Sequence, residues 1–427
     1  MVALAGRLRA PFARYWLSEF MSSFGNGVRL AAFPLLAAQL SRSPGAVAAV
    51  TAVQGLPWLL LGAGAGVIVD RVDRRRLMVT ADIARAVLIA ALAVAVLADA
   101  AGLALIYLTA FGTGVGSALR STAAVTCVPR MVDPDDLDKA NARMAAGQIL
   151  AFELAGPAAG GWLFGVAAVL PFTVNAGTLG IAVLLLLTLP AVFAAPPRPE
   201  PGAARPRLAA ARHDLAEGLR WVWRHPAIKD VTIMAGVVSA MDAAWFAVFV
   251  LYVAKVLHQP PGAYGLLIAV GAVGGLAASA TSAALTRRIG PWRTLLAAGL
   301  GVAATQAALG LTGSVLAAAV FQVVSIWALT QFNVTAVTMR QRQVPDALLG
   351  RVTSVYGTVT QGAEALGALA GGGLAVAAGI RAPMLIGAVP IVVVTIGVAW
   401  RHRHRAAGDA DGLDGTDGAA PSEPKAS

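Results

Sequence analysis

The chain of 427 residues is 58% hydrophobic and only 13% charged, with a mean hydropathy of +0.72. A water-soluble protein of this length would be about one-quarter charged, so composition excludes that class and predicts a membrane-embedded chain. The formal charge of +11 does not signal nucleic acid, because the basic residues form short clusters between apolar stretches, as in loops facing an anionic membrane surface.

In chain order, apolar segments predict spans at residues 15–40, 44–69, 77–99, 102–127, 142–167 and 169–194. A second set follows at 228–256, 262–286, 292–312, 314–339, 352–378 and 382–400. Each can cross a hydrocarbon core of about 30 Å as a helix rising about 1.5 Å per residue. Lipid offers no partner to free backbone groups, and no alternating pattern points to a barrel. The expected fold class is an all-α membrane protein, with twelve transmembrane helices in two six-helix bundles. The basic start, Arg7 to Arg14, is read as the flank of a retained first helix rather than a cleaved signal.

Lys and Arg fall unevenly on alternate loops. One side holds Arg7, Arg9 and Arg14; Arg71 and Arg74 to Arg76; Arg130, Lys139 and Arg143; the stretch from Arg198 to Lys229; Arg287, Arg288 and Arg293; Arg340, Arg342 and Arg351; and Arg401, Arg403, Arg405 and Lys425. The other side holds only Arg42, Lys255 and Arg381. The positive-inside rule then puts both termini in the cytoplasm. The abundance of Ala, and of Arg over Lys, points to a GC-rich bacterial genome, and the expected location is the inner membrane, with multiple passes.

Four units are expected: a six-helix bundle over 1–195, a cytoplasmic linker over 196–226, a second bundle over 227–400 and an unstructured cytoplasmic tail over 401–427. The linker begins with Pro196, Pro197, Pro199 and Pro201, which forbid a helix. From about Leu208 the spacing of Leu215, Leu219, Trp221 and Val222 among charged residues predicts an amphipathic interfacial helix. After Ala406 the run of Asp, Gly and Pro has no apolar period. The single Cys127 allows no intrachain disulfide, and neither it nor the five histidines forms a metal-ligand pattern.

The halves repeat each other. A shift of 211 lays Glu153 on Glu364, Gly156 on Gly367, and Gly160-Gly161 on Gly371-Gly372; a shift of 217 lays Arg71-Val72-Asp73 on Arg288-Ile289-Gly290. Parallel six-span repeats are related by an axis along the membrane normal, with a substrate path between them.

Two motifs stand out. The loop after the second span reads Gly66-x-x-x-Asp70-Arg71-x-Asp73-Arg74-Arg75, and the fifth span contains Gly156-Pro157-x-x-Gly160-Gly161. The first resembles the G-x-x-x-D-R-x-G-R-[RK] loop of the major facilitator superfamily, with Asp73 where the family has Gly; Asp tolerates the left-handed conformation better than most residues. The second resembles the G-P-x-x-G-G signature of facilitator antiporters. Stretches such as Leu77–Ala86, Val132–Ala142, Glu217–Pro226 and Met339–Val352 are similar to the drug-efflux and siderophore-exporter branch, and the likeness runs from about Arg14 to Trp400. The resemblance implies a cytoplasmic gate at Gly66, Asp70, Arg71, Arg74 and Arg75, and an export-favouring helix at Gly156, Pro157, Gly160 and Gly161. A monomer is expected. Relatives of this branch often carry Asp in a Gly-Asp-Gly turn of the first span; here the run is Gly25-Asn26-Gly27, and Asn26 cannot titrate.

Ionisable groups at mid-membrane are functional candidates by default. Glu19, Arg29, Arg120, Glu153, Asp242 and Glu364 are expected within spans, whereas Asp82 and Arg85, one turn apart, read as an intrahelical pair. Glu153, Asp242 and Glu364 are the candidates for proton coupling, the alternative being that these carboxylates only pair with Arg29, Arg120 or a serine. Asn26, Arg29, Arg120, Gln148, Trp245, Gln331, Asn333 and Gln361 are candidates for the substrate cavity, and Trp245, Phe246, Phe249, Phe321, Trp327 and Phe332 for an aromatic wall. No phosphate-binding G-x-x-x-x-G-K-[ST] loop and no nucleophile with a base are present. The expectation is a non-enzymatic secondary exporter that needs no cofactor, its partners being a small amphiphilic molecule, protons and the bilayer. The rivals are a proton-coupled uptake symporter and a lipid-handling or sensory protein that transports nothing.

Overall fold

The computed structural model describes residues 10–61, 72–125, 127, 128, 131–189 and 207–414. Its first half contains α1 (Ala10–Leu40), α2 (Pro44–Leu61), α3 (Arg74–Leu97), α4 (Leu103–Val125), α5 (Leu137–Val166) and α6 (Leu170–Leu187). The linker helix α7 (Arg207–Arg224) follows. The second half is α8 (Pro226–Lys255), α9 (Pro261–Ile289), α10 (Pro291–Leu311), α11 (Val315–Gln343), α12 (Asp346–Ala378) and α13 (Ala382–Asp414). Among the described residues there is no strand.

Ten of these helices are long and apolar enough to cross a membrane, and the two other long helices, α1 and α12, fall short. Their sequences explain why: α1 carries Glu19, Asn26, Arg29 and several serines, and α12 carries Gln361, Glu364 and a run of glycines. Both contribute to the lining of one cavity, so these polar residues face its interior rather than lipid. Large apolar side chains such as Leu97, Leu184, Leu316, Leu366 and Val393 are exposed around the outside, as a lipid-facing surface requires.

At the end of the bundle that carries the linker, helices outrun the apolar segments. Helix α11 continues through Arg340 and Arg342, and α13 continues to Asp414. This corrects the expectation of an unstructured chain from Arg401: beyond the hydrocarbon a helix need not be apolar, and Arg401 anchors this one through a 3.0 Å ion pair with the buried Asp230 of α8. At the same end α7 rests against α12, with Arg351 to Glu217 at 2.8 Å.

Glycine positions show how the two halves close on each other. A Cβ on Gly156 or Gly160 of α5 would strike Gly27 or Val28 of α1, at 2.6 and 2.4 Å; a Cβ on Gly367 or Gly371 of α12 would strike the carbonyls of Ala240 and Ala244 of α8, both at 2.0 Å. These contacts lie within each half. The next glycine in each repeat reaches across: Gly161 meets Gly265 of α9, and Gly372 meets Gly45 and Ala48 of α2. The duplicated glycines thus build one pseudo-symmetric pair of seams, α5 on α9 and α2 on α12, at the end of the bundle opposite the linker.

Within α5 the segment Ile149–Ala155 is π-helical, and the Gly156 N–H reaches back to the Ala151 carbonyl. Pro157 has no N–H to give the carbonyl of Glu153, and its ring would crowd that carbonyl in a regular helix. A wider turn immediately before it relieves both problems, and Glu153 sits inside that turn.

Candidate functional site

A cavity of about 860 Å³ opens between the halves. Its lining runs on α1 from Trp16 to Leu30, on α2 from Thr51 to Trp58, on α4 from Gly114 to Ala124 and on α5 from Asn141 to Phe152; Gln361 and Glu364 of α12 face them. The lined parts run from near the ends that carry the basic loops to about the middle of each helix. Towards the other end the glycine seams are shut. The cavity therefore reaches mid-depth from one side only.

Its polar wall is a charge network built by three helices. Arg120 of α4 donates to Asp82 of α3 at 2.7 Å and to Glu19 of α1 at 2.8 Å. Arg85, one turn after Asp82, donates to the other oxygen of that carboxylate at 2.7 Å, to Ser22 at 3.3 Å and to the Asn26 side-chain oxygen. Arg29 donates to Thr113 at 2.8 Å and to Asn26 at 3.4 Å. Asp82 is wholly buried, and Arg85 almost so. The intrahelical Asp82–Arg85 pair expected from spacing is present, but it is one edge of a larger cluster: the second Asp82 oxygen belongs to Arg120.

This arrangement makes Asp82 the keystone of the first half. Removing one member of a buried ion pair strands its partner, a loss of about 3–5 kcal/mol. Asp82→Ala, which strands Arg85 and leaves Arg120 with Glu19 alone, is expected to lower the melting temperature in detergent sharply. Asp136→Ala removes only the exposed partner of Lys139 and should leave that temperature unchanged. Thermal unfolding followed by tryptophan emission checks both.

The candidate cavity residues divide. Asn26, Arg29, Arg120, Gln148 and Gln361 line the cavity. Trp245, Gln331 and Asn333 do not. Trp245 is buried inside α8, packed edge-on to Phe246 and Phe249 and donating to Asp242 at 3.0 Å. Gln331 is fully buried and donates to Thr281 of α9 at 2.9 Å. Asn333 is exposed, away from the cavity. The aromatic wall comes from Trp16, Phe20, Trp58 and Phe152 instead of the second-half residues expected from sequence; of those, Phe249 and Phe332 are buried in the packed core.

Among the three candidate carboxylates, Glu364 is exposed to the cavity. Asp242 lies on α8, which packs along α12, but it does not line the cavity. Glu153 is half-buried in the π-helical turn and does not line the cavity, although Ile149 and Phe152 just before it do.

Of the loop motif, Gly66, Asp70 and Arg71 lie outside the described residues; Arg74 is buried and Arg75 donates to the Leu187 carbonyl. Asp73 is not left-handed, as its replacement of glycine suggested, but sits at φ −56° and caps α3 by accepting from the Arg76 N–H at 2.8 Å. Its repeat counterpart Gly290 does use φ +82°. The fifth-span motif is a double contact surface, with Gly156 and Gly160 against α1, and Pro157 and Gly161 against Gly265.

A family model described as transmembrane secretion effector matches residues 3–416. The chain belongs to that family. It is 29% identical over 405 residues to the multidrug efflux pump Tap of Mycobacterium bovis, covering 90% of this chain and 91% of that one. It is 26% identical over 373 residues to the enterobactin exporter EntS of Citrobacter koseri, covering 85% of each. Among solved structures, the nucleoside transporter NupG superimposes with a TM-score of 0.72 at 12% identity, over 92% of this chain and 98% of that one. A bacterial homologue of the iron transporter ferroportin, in its inward-facing state, gives 0.70 at 18% identity, over 91% and 98%. These likenesses show the major facilitator fold. This family member is a multi-pass membrane transporter and not an enzyme.

Proposed function

We propose that the protein is a bacterial inner-membrane exporter that moves a small amphiphilic molecule outward in exchange for protons, by rocking one six-helix half against the other. The observation that carries this reading is the one-sided cavity, lined by a charge network from the first half and by Glu364 from the second. Its volume suits a drug-sized molecule, and its mixture of aromatic rings with charged groups suits an amphiphile. With both termini cytoplasmic, as the basic loops imply, the cavity faces the cytoplasm and the glycine seams close the periplasmic side. The monomer holds the whole path. The names of Tap and EntS, an efflux pump and an exporter, support the outward direction, and so does the Gly156-Pro157-x-x-Gly160-Gly161 run.

Glu364 is the proton carrier in this scheme, with Asp242 behind it as a second acid. A carboxylate open to the cavity can take a proton from the periplasm in one conformation and release it to the cytoplasm in the other. Everted vesicles holding an acidified lumen and a pH dye test the scheme. Addition of rhodamine 123 is expected to raise luminal pH as the dye enters. A response only under the reversed gradient would mean symport, and no dye movement under any gradient would mean a non-transporting protein.

A further inference from the structure

Three guanidiniums line the cavity, those of Arg29, Arg85 and Arg120, and among the described residues the same network holds two carboxylates, Glu19 and Asp82. Arg120 takes both acids and Arg85 shares one of them. Among the described residues no carboxylate lies within 4 Å of Arg29. Its recorded acceptors are neutral, namely Thr113 and Asn26, and Asn26 is shared with the Arg85 guanidinium. The Arg29 side chain is about nine-tenths or more buried, at 5% exposure, and its Nε has no hydrogen-bond partner. A guanidinium left this way inside a membrane protein is strongly unfavourable unless an anion joins it.

Position adds a second constraint. Arg29 and Leu30 are the deepest lining residues of α1, while Phe20 and Trp16 lie successively nearer the open mouth. The facing wall carries Glu364, which has no ion pair among the described residues. The two walls thus present opposite, uncompensated charges to whatever lies between them.

We infer that Arg29 is the docking site for an anionic group of the cargo, and that the cargo is amphoteric, with a carboxylate or comparable anion held at Arg29 and a basic group directed to Glu364. The inference rests on the export reading above and names its substrate class. The bidentate fork of Arg29 suits a carboxylate, and the aromatic rings nearer the mouth cover the apolar body. A basic group at Glu364 competes with the proton there, which keeps such a cargo consistent with antiport; a cargo with only an anion would be repelled by the ionised Glu364.

Rhodamine 110 and rhodamine 123 differ only in that the carboxyl group of the first is a methyl ester in the second, so the pair isolates the anion. Uptake of each is measured in everted vesicles containing the full chain, as wild type, Arg29→Gln and Arg29→Lys. Wild type is expected to move the free acid roughly tenfold faster than the ester at low dye concentration. Arg29→Gln should erase that preference by slowing the acid alone, and Arg29→Lys should restore part of it. Movement of the ester at the wild-type rate shows that Arg29→Gln is folded. Equal handling of the two dyes by wild type, or equal loss of both in Arg29→Gln, would overturn the inference while leaving export intact. Movement of neither dye by wild type would overturn the export reading and this inference with it.

Discussion

Gly372→Leu is expected to reduce transport roughly tenfold or more, a barrier change of about 1.4 kcal/mol at the least, while Gly373→Leu leaves it near the wild-type rate. The two positions are adjacent, but they face different surroundings. A Cβ on Gly372 would lie 2.7 Å from the Ala48 Cβ and 3.1 Å from the Gly45 Cα, across the seam between halves. A Cβ on Gly373 meets nothing within 4 Å, and the residue is exposed. Backbone cannot retreat from a leucine as a flexible side chain could, so α2 and α12 cannot close at that end and the cavity should stay open to the periplasm. Gly161→Leu, at the pseudo-symmetric seam against Gly265, should behave like Gly372→Leu. Dye efflux measures the rate. Normal rates in both seam variants would show that closing these seams is not a step of the cycle.

Glu364→Gln is expected to abolish proton-driven export while leaving a slower but measurable exchange of labelled for unlabelled dye across the membrane, because exchange needs no net proton movement and the amide oxygen still accepts from the cargo's basic group. Glu153→Gln should retain coupling. Although the sequence repeat makes the two glutamates equivalent, only Glu364 faces the cavity; Glu153 is held in the π-helical turn that Pro157 imposes. The comparison of driven export with exchange in the same vesicles separates a lost proton site from a misfolded protein. Undiminished driven export in Glu364→Gln would remove it as the carrier. Loss of coupling in Glu153→Gln would bring that residue back despite its position.

The architecture was legible because each level of it leaves a periodic or compositional mark. Apolar stretches mark the spans, basic loops mark one end, and the 211-residue repeat marks the glycines that the structure places at equivalent seams. The interior of the site left fewer marks. A helix such as α11 is apolar on nearly every side, so nothing local indicates that none of its described residues lines the cavity; Gln331 turned towards Thr281 and Asn333 towards the outside. The aromatic cluster around Trp245 looked suited to an amphiphile, but its rings pack on one another. Asp82 and Arg85 were readable as a pair because they are one turn apart, whereas Arg120 reaches Asp82 from another helix and no local spacing encodes that contact. The strongest unused signal was on α1, where Trp16, Glu19, Phe20, Ser23 and Asn26 recur at helical intervals and all line the cavity. That polar stripe is also the reason α1 is too polar to count among the clear apolar spans.

The most direct measurement uses a single cysteine as a reporter of which side reaches the cavity. Cys127 is buried, and it is the only native cysteine; in a Cys127→Ser background, Gln361→Cys places a thiol on the second-half wall beside Glu364. A membrane-impermeant maleimide applied to everted vesicles, whose cytoplasmic face is outward, is expected to label it rapidly, and rhodamine 110 should slow that reaction. Right-side-out vesicles should label slowly, becoming fast when Gly372→Leu is added. Labelling that is absent from both sides, or equally fast from both and indifferent to the dye, would contradict a cargo path through this cavity.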